Sequence, residues 1–547
     1  MNRLAVALAL AAMLLGALGA AAPVSAVSEA GYPDGFEGYH DYAELEAAID
    51  AAVAARPSIV SKRTIGTSYE GRSIWAVKIS DNVGSDEDEP EVLMDSLHHA
   101  REHLTVEMAL HIIAVLSENY RSNPANIENP LEQRVTDIVK GREVWIVPMV
   151  NPDGAEWDIS DSTAFQNWRR NRQLIEGSAV PGVDLNRNWG FKWGCCGGSS
   201  GQPGTTTYRG PAPWSTPEIA ALRDFVLSRV INGRQQIRAA ISWHTFNEEI
   251  MWPYGYTTAD LPRTMSPDDL LAFQALGHGM ADRNGYVAQQ MSDLYILDGA
   301  ASDWLYGDQR IFAFTIEMYP TDGSNVGGFY PPDDIIDAQT ARNDEAVLFF
   351  LEQSDCPYRA ADLGVTHCGP LNDDFETGRG WQINAAGTDT ATSGLWERGT
   401  AQKTTNAAGI KQRAYGFSGL ASLVTGALTG SSVTGNDVDG GVTSALSPTL
   451  PLGSPGSTGW TLSFRYTFAH NAQAKTGDQL RIKVNGTVVF VQLANGTHRN
   501  ADWTTATVSL DAYAGQTIRL LAEAVDAGAD HLVEAAIDDL RVYRAPL

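Results

Sequence analysis

Between about Tyr39 and Leu351 the chain alternates short, continuous apolar runs with segments of helical periodicity, and no other feature restricts its fold as much. The runs 74–79, 92–94, 144–147, 239–241 and 311–316 have the length and β-branched or aromatic content of buried strands. Residues 42–54, 104–120, 217–231, 268–283 and 340–352 repeat apolar positions at helical spacing. The third of these helices opens on Ser215-Thr216-Pro217-Glu218, a cap followed by a first-turn proline. Alternation of this kind predicts an α/β fold, a mixed, largely parallel sheet flanked by helices.

The pattern changes after Cys368. From Asn372 the chain is rich in Gly, Thr, Ser and Ala, and strands become short and alternating, as in 461–466 and 480–484. Asn485-Gly486 after the second of these is a hairpin turn signal. An all-β sandwich of jelly-roll type is expected here. A chain of 547 residues exceeds what one core usually serves. The expected division is a leader at 1–26, an α/β domain at 35–369 and a β-sandwich accessory domain at 370–547.

The leader is read from Arg3, the apolar run Leu4 to Ala22 and the small-residue site Val24-Ser25-Ala26, the pattern of a cleaved secretory signal. No later stretch is apolar and long enough to span a bilayer. The formal charge is −27, and losing the leader with Arg3, its one charged residue, brings it to −28. Such a surface excludes nucleic acid and anionic membranes as partners and suits an extracellular, monomeric protein. In an oxidising compartment Cys195, Cys196, Cys356 and Cys368 are expected to form two disulfides. Of the three pairings, the one joining neighbours Cys195 and Cys196 is the least expected, because adjacent residues bring their sulfurs together only in a strained turn.

Ser96-Leu97-His98-His99-Ala100-Arg101-Glu102-His103 gathers metal-binding residue types just after a strand. Three readings are open from these residues. His99 and Glu102 can bind zinc with a distant histidine, leaving the fourth position to water. His99 and His103 can be the ligands with Glu102 as base, an inverted zinc motif. Or the histidines have only structural roles.

This segment, together with several strings C-terminal to it, resembles the funnelin zinc metallocarboxypeptidases, the carboxypeptidase A/B type, and most closely the T kind. The shared strings are His99-Ala100-Arg101-Glu102, Asn151-Pro152-Asp153-Gly154, Trp168-Arg169, 184–189 (DLNRNW), Ser242-Trp243-His244, 253–256 (PYGY), Tyr295 and Phe314-Thr315-Ile316-Glu317, in order from Tyr39 to Cys368. The resemblance implies a secreted zinc exopeptidase that releases single residues from peptide C-termini. It assigns zinc to His99, Glu102 and His244, with Asp184 orienting His99. It makes Glu317 the general base and Arg169 the cation beside the developing oxyanion. It gives Asn186 and Arg187 the substrate carboxylate, Tyr295 the closing position and Arg101 contacts further upstream. Arg187 suits that task chemically, because its planar fork matches a carboxylate.

Further expectations rest on the same resemblance. The pocket segment 296–303, with Ala300 and Ser302, has Ala300 where the T kind carries an acidic residue, so apolar and aromatic C-terminal residues are expected, unless Asp298 or Asp303 points inward. Asp86, Glu87, Glu89 and Glu91 resemble a calcium-binding segment. The few residues between leader and enzyme domain leave no room for an inhibitory propeptide. Independently of the resemblance, the sandwich carries no comparable catalytic string and is read as an accessory module for carbohydrate, protein or cell-surface attachment, with a purely stabilising role or removal during maturation as the alternatives. Two rival readings are a funnelin amidase acting on cell-wall peptides, which would lack the Arg187 clamp, and a non-catalytic binding protein, which would lose some ligands or Glu317.

Overall fold

The computed structural model describes residues 31–323, 328–428, 432–456, 458–528 and 531–546; the leader expected at 1–26 lies outside them. Eight strands form the main sheet: β1 (Val60–Thr67), β2 (Ser73–Ile79), β3 (Glu91–Ser96), β4 (Glu143–Val147), β5 (Ile237–Thr245), β6 (Glu249–Trp252), β7 (Val287–Gln290) and β8 (Phe312–Met318). Their order is β1-β2-β4-β3-β5-β8-β6-β7. The central four, β4-β3-β5-β8, are parallel, and antiparallel pairing is confined to β1 with β2, β2 with β4, and β6 with β8. The expected α/β class and largely parallel sheet are therefore present.

The central strands read as unbroken apolar runs because both of their faces are covered. Val92, Met94 and Ile241 enter one core with Leu104 and Leu116. Leu93 and Ala240, on the opposite face, enter a second core with Ile219, Leu222 and Trp304. Each fully buried side chain of this size contributes about 1.5–3 kcal/mol, so neither face can turn to solvent.

The covering helices are α1 (Tyr42–Ala55), α2 (Leu104–Asn119), α3 (Pro130–Gly141), α4 (Pro217–Ser228), α5 (Pro267–Asn284) and α6 (Asp344–Gln353). Asp41 and Glu44 form a capping box on α1, and the Thr216 hydroxyl accepts from Ile219 N–H at the start of α4, as its sequence predicts. The helix expected over 340–352 is instead two pieces, Ile336–Ala341 and α6. Buried Asn343 lies between them and donates its amide to Gln339 O and Tyr286 Oη, which competes with continuous helix.

The all-β part is a sandwich of two antiparallel sheets. One contains β9 (Leu371–Asp373), β11 (Trp396–Gly399), β12 (Ser422–Thr425), β14 (Thr458–His470), β17 (Thr504–Ser509) and β19 (Val533–Pro546). The other contains β10 (Gln382–Ile383), β13 (Gly441–Leu446), β15 (Gln479–Val484), β16 (Thr487–Leu493) and β18 (Leu520–Asp526). Asn485 and Gly486 both take positive φ in the β15–β16 hairpin, the conformation their types favour. Leu462, Phe464, Leu480, Ile482 and Leu520 build a core separate from the α/β cores. Arg310 bridges the two parts, lying 3.5 Å from Asp374 and 3.3 Å from Glu376.

The disulfides correct one expectation. Cys356 pairs with Cys368, and Cys195 pairs with its neighbour Cys196, the combination least expected from sequence. The first closes a corner after α6, with Cα atoms 5.6 Å apart. The second sits between Gly194 and Gly197, both at positive φ, so flanking residues without side chains supply the turn that adjacent cysteines require.

Candidate active site

The parallel strands deliver the site from their carboxyl ends, where open α/β sheets place ligand crevices. The chain leaves β3 through Leu97, a non-glycine residue at φ 59°, and this turn presents His98 and His99. His244 is the penultimate residue of β5, and Glu317 the penultimate residue of β8.

His99, Glu102 and His244 converge. His99 Nδ1 is 2.7 Å from Glu102 Oε1, His244 Nδ1 is 3.0 Å from Glu102 Oε2, and the two Nδ1 atoms are 3.2 Å apart. All three residues are buried. The rear nitrogens are held by the protein: His99 Nε2 is 3.1 Å from Asp184 Oδ1, and His244 Nε2 is 3.3 Å from Ser242 Oγ, which donates to Asp95 Oδ1 at 2.6 Å. This leaves both Nδ1 lone pairs aimed at one point beside a carboxylate. Two imidazoles and a carboxylate are a zinc donor set with one coordination position open, so the residues fit that ion.

Electrostatics agree with that arrangement. Burial opposes the Glu102 charge, but His99 and His244 outweigh it and hold the carboxyl well below its ordinary range. Burial lowers His99, and nearby Arg169 adds to this, which favours the neutral imidazole a metal needs. Burial, with the Glu102 charge adding to it, pushes the Glu317 carboxyl up to about 8. Glu317 Oε2 is enclosed and has no hydrogen-bond partner among the described residues. The raised value gives the carboxylate form a high proton affinity, which suits a group that takes up and returns a proton.

Arg169 donates from Nε to Asp184 Oδ2 at 3.0 Å, and its Nη1 is 4.0 Å from Glu102. Burial disfavours its charge, yet Asp184 and Glu102 keep it above the usual guanidinium range. Asp184 therefore touches both His99 and Arg169.

Arg187 is 2 % exposed. It donates from Nη1 to Asn186 O at 2.7 Å and from Nε to Gly198 O at 3.1 Å, which fixes the fork while leaving Nη2 without a hydrogen bond among the described residues. The Asn186 side chain accepts from Ala301 N–H at 2.9 Å, with its Nδ2 3.4 Å from His244 Nε2, so it ties the pocket segment to the metal-ligand candidates. Gly299 permits this packing: a Cβ there would lie 2.4 Å from Arg187 O. Tyr295 is 47 % exposed, its ring centroid 5.9 Å from the Arg187 guanidinium, on the rim rather than inside. Arg101 is also peripheral, donating to Asn167 Oδ1 and stacked on Phe329.

Both acidic residues of the pocket segment are buried and hydrogen-bonded. Asp298 accepts from Cys196 N–H, Gly198 N–H and the Ser199 hydroxyl. Asp303 accepts from Gly255 N–H and Tyr256 N–H. Ala300 packs with Met251, Met291 and Leu297, and the Ser302 hydroxyl is 3.2 Å from Thr315 Oγ1.

Two sequence expectations do not assemble. His103 is turned away from His99 and Glu102; its Nε2 is 3.0 Å from Asp158 and its Nδ1 2.9 Å from the Tyr32 hydroxyl, so the inverted zinc motif is absent. The acidic run does not form one cluster. Asp86 and Glu91 bind Arg229, while Glu87 and Glu89 meet Asp81 instead. Sequence reasoning passed over Asp95 and Ser242 as supports for His244. Asp95 carried a signal, being a carboxylate inside a buried strand.

Residues 45–346 match the zinc carboxypeptidase family. The chain belongs to that family. It is therefore a metallocarboxypeptidase by lineage, and zinc is the family's metal. It is 46 % identical over 334 residues to a zinc carboxypeptidase of Saccharothrix mutabilis subsp. capreolus, covering 59 % of this chain and 71 % of that protein. It is 31 % identical over 296 residues to carboxypeptidase A2 of Rattus norvegicus, covering 52 % of this chain and 64 % of the relative. The crystal structure of thrombin activatable fibrinolysis inhibitor superposes with a TM-score of 0.50 at 26 % identity, over 58 % of this chain and 74 % of that one. The family match lies within the α/β part and stops before the sandwich.

Proposed function

We propose that the α/β part hydrolyses the last peptide bond of peptides and proteins with a free C-terminus, releasing single residues and preferring apolar or aromatic ones. The observation that carries this reading is the buried Arg187 fork, held one residue from Asn186 beside His244. A buried guanidinium whose Nη2 has no hydrogen bond among the described residues calls for an anionic partner, and a peptide's terminal carboxylate is one.

His99, Glu102 and His244 would hold zinc, which when bound supplies Lewis acidity toward the scissile carbonyl and toward water. Glu317 takes the proton from the attacking water and passes it to the leaving amine. Arg169, anchored by Asp184, meets the charge that develops on the carbonyl oxygen and needs no reorganisation to do so. Arg187 and Asn186 position the terminal carboxylate, Tyr295 closes from the rim, and Arg101 contacts residues further upstream. The side chain of the released residue enters the surface of Met251, Met291, Leu297 and Ala300, where both nearby carboxylates are already consumed by backbone donors.

Three accompanying readings are supported more locally. The pattern at 1–26 supports export of an extracellular protein with this leader removed. The separate cores support a division at Gly369-Pro370, with the sandwich an accessory module for carbohydrate or surface attachment. For calcium, support narrows to Asp81, Glu87 and Glu89, whose ligand atoms lie within 4.8 Å of one another; calcium-dependent thermal protection, lost in Glu89→Gln, would test it. The main reading is tested by incubating purified protein with free and C-terminally amidated peptides, with and without a chelator. Cleavage confined to free termini and abolished by the chelator is expected; cleavage of the amide, or indifference to the chelator, overturns it.

A further inference from the structure

The sandwich contains a second cluster of metal-ligand side chains, unrelated to the family's site. Asp478 precedes β15, Asp526 ends β18, and His531 lies in the segment leading to β19. One donor atom from each lies within 4.8 Å of the others. His531 Nδ1 is 2.9 Å from Asp478 Oδ2 and 3.5 Å from Asp526 Oδ1.

Asp526 is the informative member. It is 1 % exposed, and the donors nearest it, the backbone N–H and the ring of His531, do not make a well-formed hydrogen bond to either carboxylate oxygen among the described residues. Carboxylates so enclosed are normally paired, fully hydrogen-bonded or bound to a metal, because an unmet buried charge costs several kcal/mol. Asp478 cannot relieve it. Its own oxygens accept from Ala527 N–H at 2.7 Å and Lys475 N–H at 2.8 Å, which holds it as a second carboxylate aimed at the same space. A third, Asp437, is also buried with Oδ1 unmet, and burial together with the charges of Asp439 and Asp526 pushes it up to about 7. A single imidazole faces this negative charge, and even as a cation it would satisfy at most one Asp526 oxygen.

We propose that Asp478, Asp526 and His531 bind a divalent cation of the zinc class, a site in the β-sandwich distinct from the one at His99, Glu102 and His244. The class follows from the donors. Two carboxylates and an imidazole suit zinc, whereas calcium and magnesium prefer all-oxygen sets. The His531 side chain is 16 % exposed, so the ion has a route in and water can complete its coordination. Bound there, the ion ties together the starts of β15 and β19 and the end of β18.

The test uses the full chain, stripped with chelator, reloaded with Zn²⁺ alone and freed of excess by gel filtration. Zinc per chain is measured by mass spectrometry of the metal, in parallel with a calcium titration. Wild type is expected to retain one zinc ion more per chain than Asp526→Asn or His531→Ala, and zinc is expected to raise the sandwich's melting transition in wild type only. Both variants should keep wild-type activity on a free-terminus peptide, which also shows that they are folded. His244→Ala should lose the other zinc ion, together with activity, and keep this one, so the two sites fail separately. Equal zinc content in wild type and both variants overturns the proposal. Binding of calcium but not zinc at this position overturns the assigned class.

Discussion

Glu317 and His244 face each other in register on neighbouring parallel strands, β8 and β5. Parallel pairing carries the proposed base and the third metal-ligand candidate to the same end of the sheet, although 73 residues of sequence separate them. A slip of one residue in β8 would turn Glu317 to the opposite face of the sheet.

That register makes Glu317→Gln the most direct test of the proposed base. The amide keeps the shape and cannot take a proton. A fall in kcat of about 10²–10⁴-fold with KM and zinc content near wild type is expected, by steady-state kinetics and metal analysis. Retention of wild-type kcat would remove Glu317 from that role.

Asp184 should act on the metal and on Arg169 together. Asp184→Asn weakens the hold on His99 Nε2 and on Arg169 Nε. Zinc affinity measured by competition with a chelator is expected to fall about 10–100-fold. An unchanged affinity would show that His99 is oriented by packing alone.

Arg187→Lys replaces a planar fork with a point donor. A loss of about 10–100-fold in kcat/KM is expected on substrates with a free terminus, the size of one charge-assisted hydrogen bond. Near-wild-type values would mean that another group binds the carboxylate.

Specificity should follow the apolar surface around Ala300. Wild type is expected to cleave substrates ending in Phe faster than those ending in Arg, and Ala300→Asp should shift that ratio toward Arg by about 10-fold or more. Comparable wild-type rates on the two substrates would refute the preference.

Stability should fall with rising pH through one identified group. Glu218 is buried, and this burial, only partly offset by hydrogen bonds from Tyr69 N–H and Asn171, pushes its carboxyl up to about 7. An unfolded glutamate titrates near about 4.3, so its contribution is full below that pH and is lost as pH rises through about 7, amounting to up to about 3 kcal/mol. Denaturant midpoints at several pH values should show a shallower decline for Glu218→Gln than for wild type over that window. Parallel declines would place the titration elsewhere.

Much of the α/β part could be read from the chain because its central strands are covered on both faces. Covered strands must be continuously apolar, as at Val92–Met94 and Ile311–Ile316, and such runs stand out. The edge strands β1 and β7, and β6 beside β7, were not read, because they are short or half exposed and lack that signature. The break before α6 was missed for a related reason: what decides it is the tertiary setting of Asn343, whose partners Tyr286 and Asn284 come from elsewhere in the chain.

The fold class was legible in the pattern of apolar runs and helical periodicity, and the resemblance to carboxypeptidases singled out His99, Glu102, His244 and Glu317 as candidates, since both depend on residue type and order along the chain. Folding was needed to turn His103 to Asp158, to bind Asp298 and Asp303 to backbone amides, to divide the acidic run between Arg229 and Asp81, and to pair adjacent cysteines. Each of those outcomes is a competition between partners distant in sequence, settled by distance and burial. The same holds for Asp526, whose unmet charge exists only because folding surrounds it.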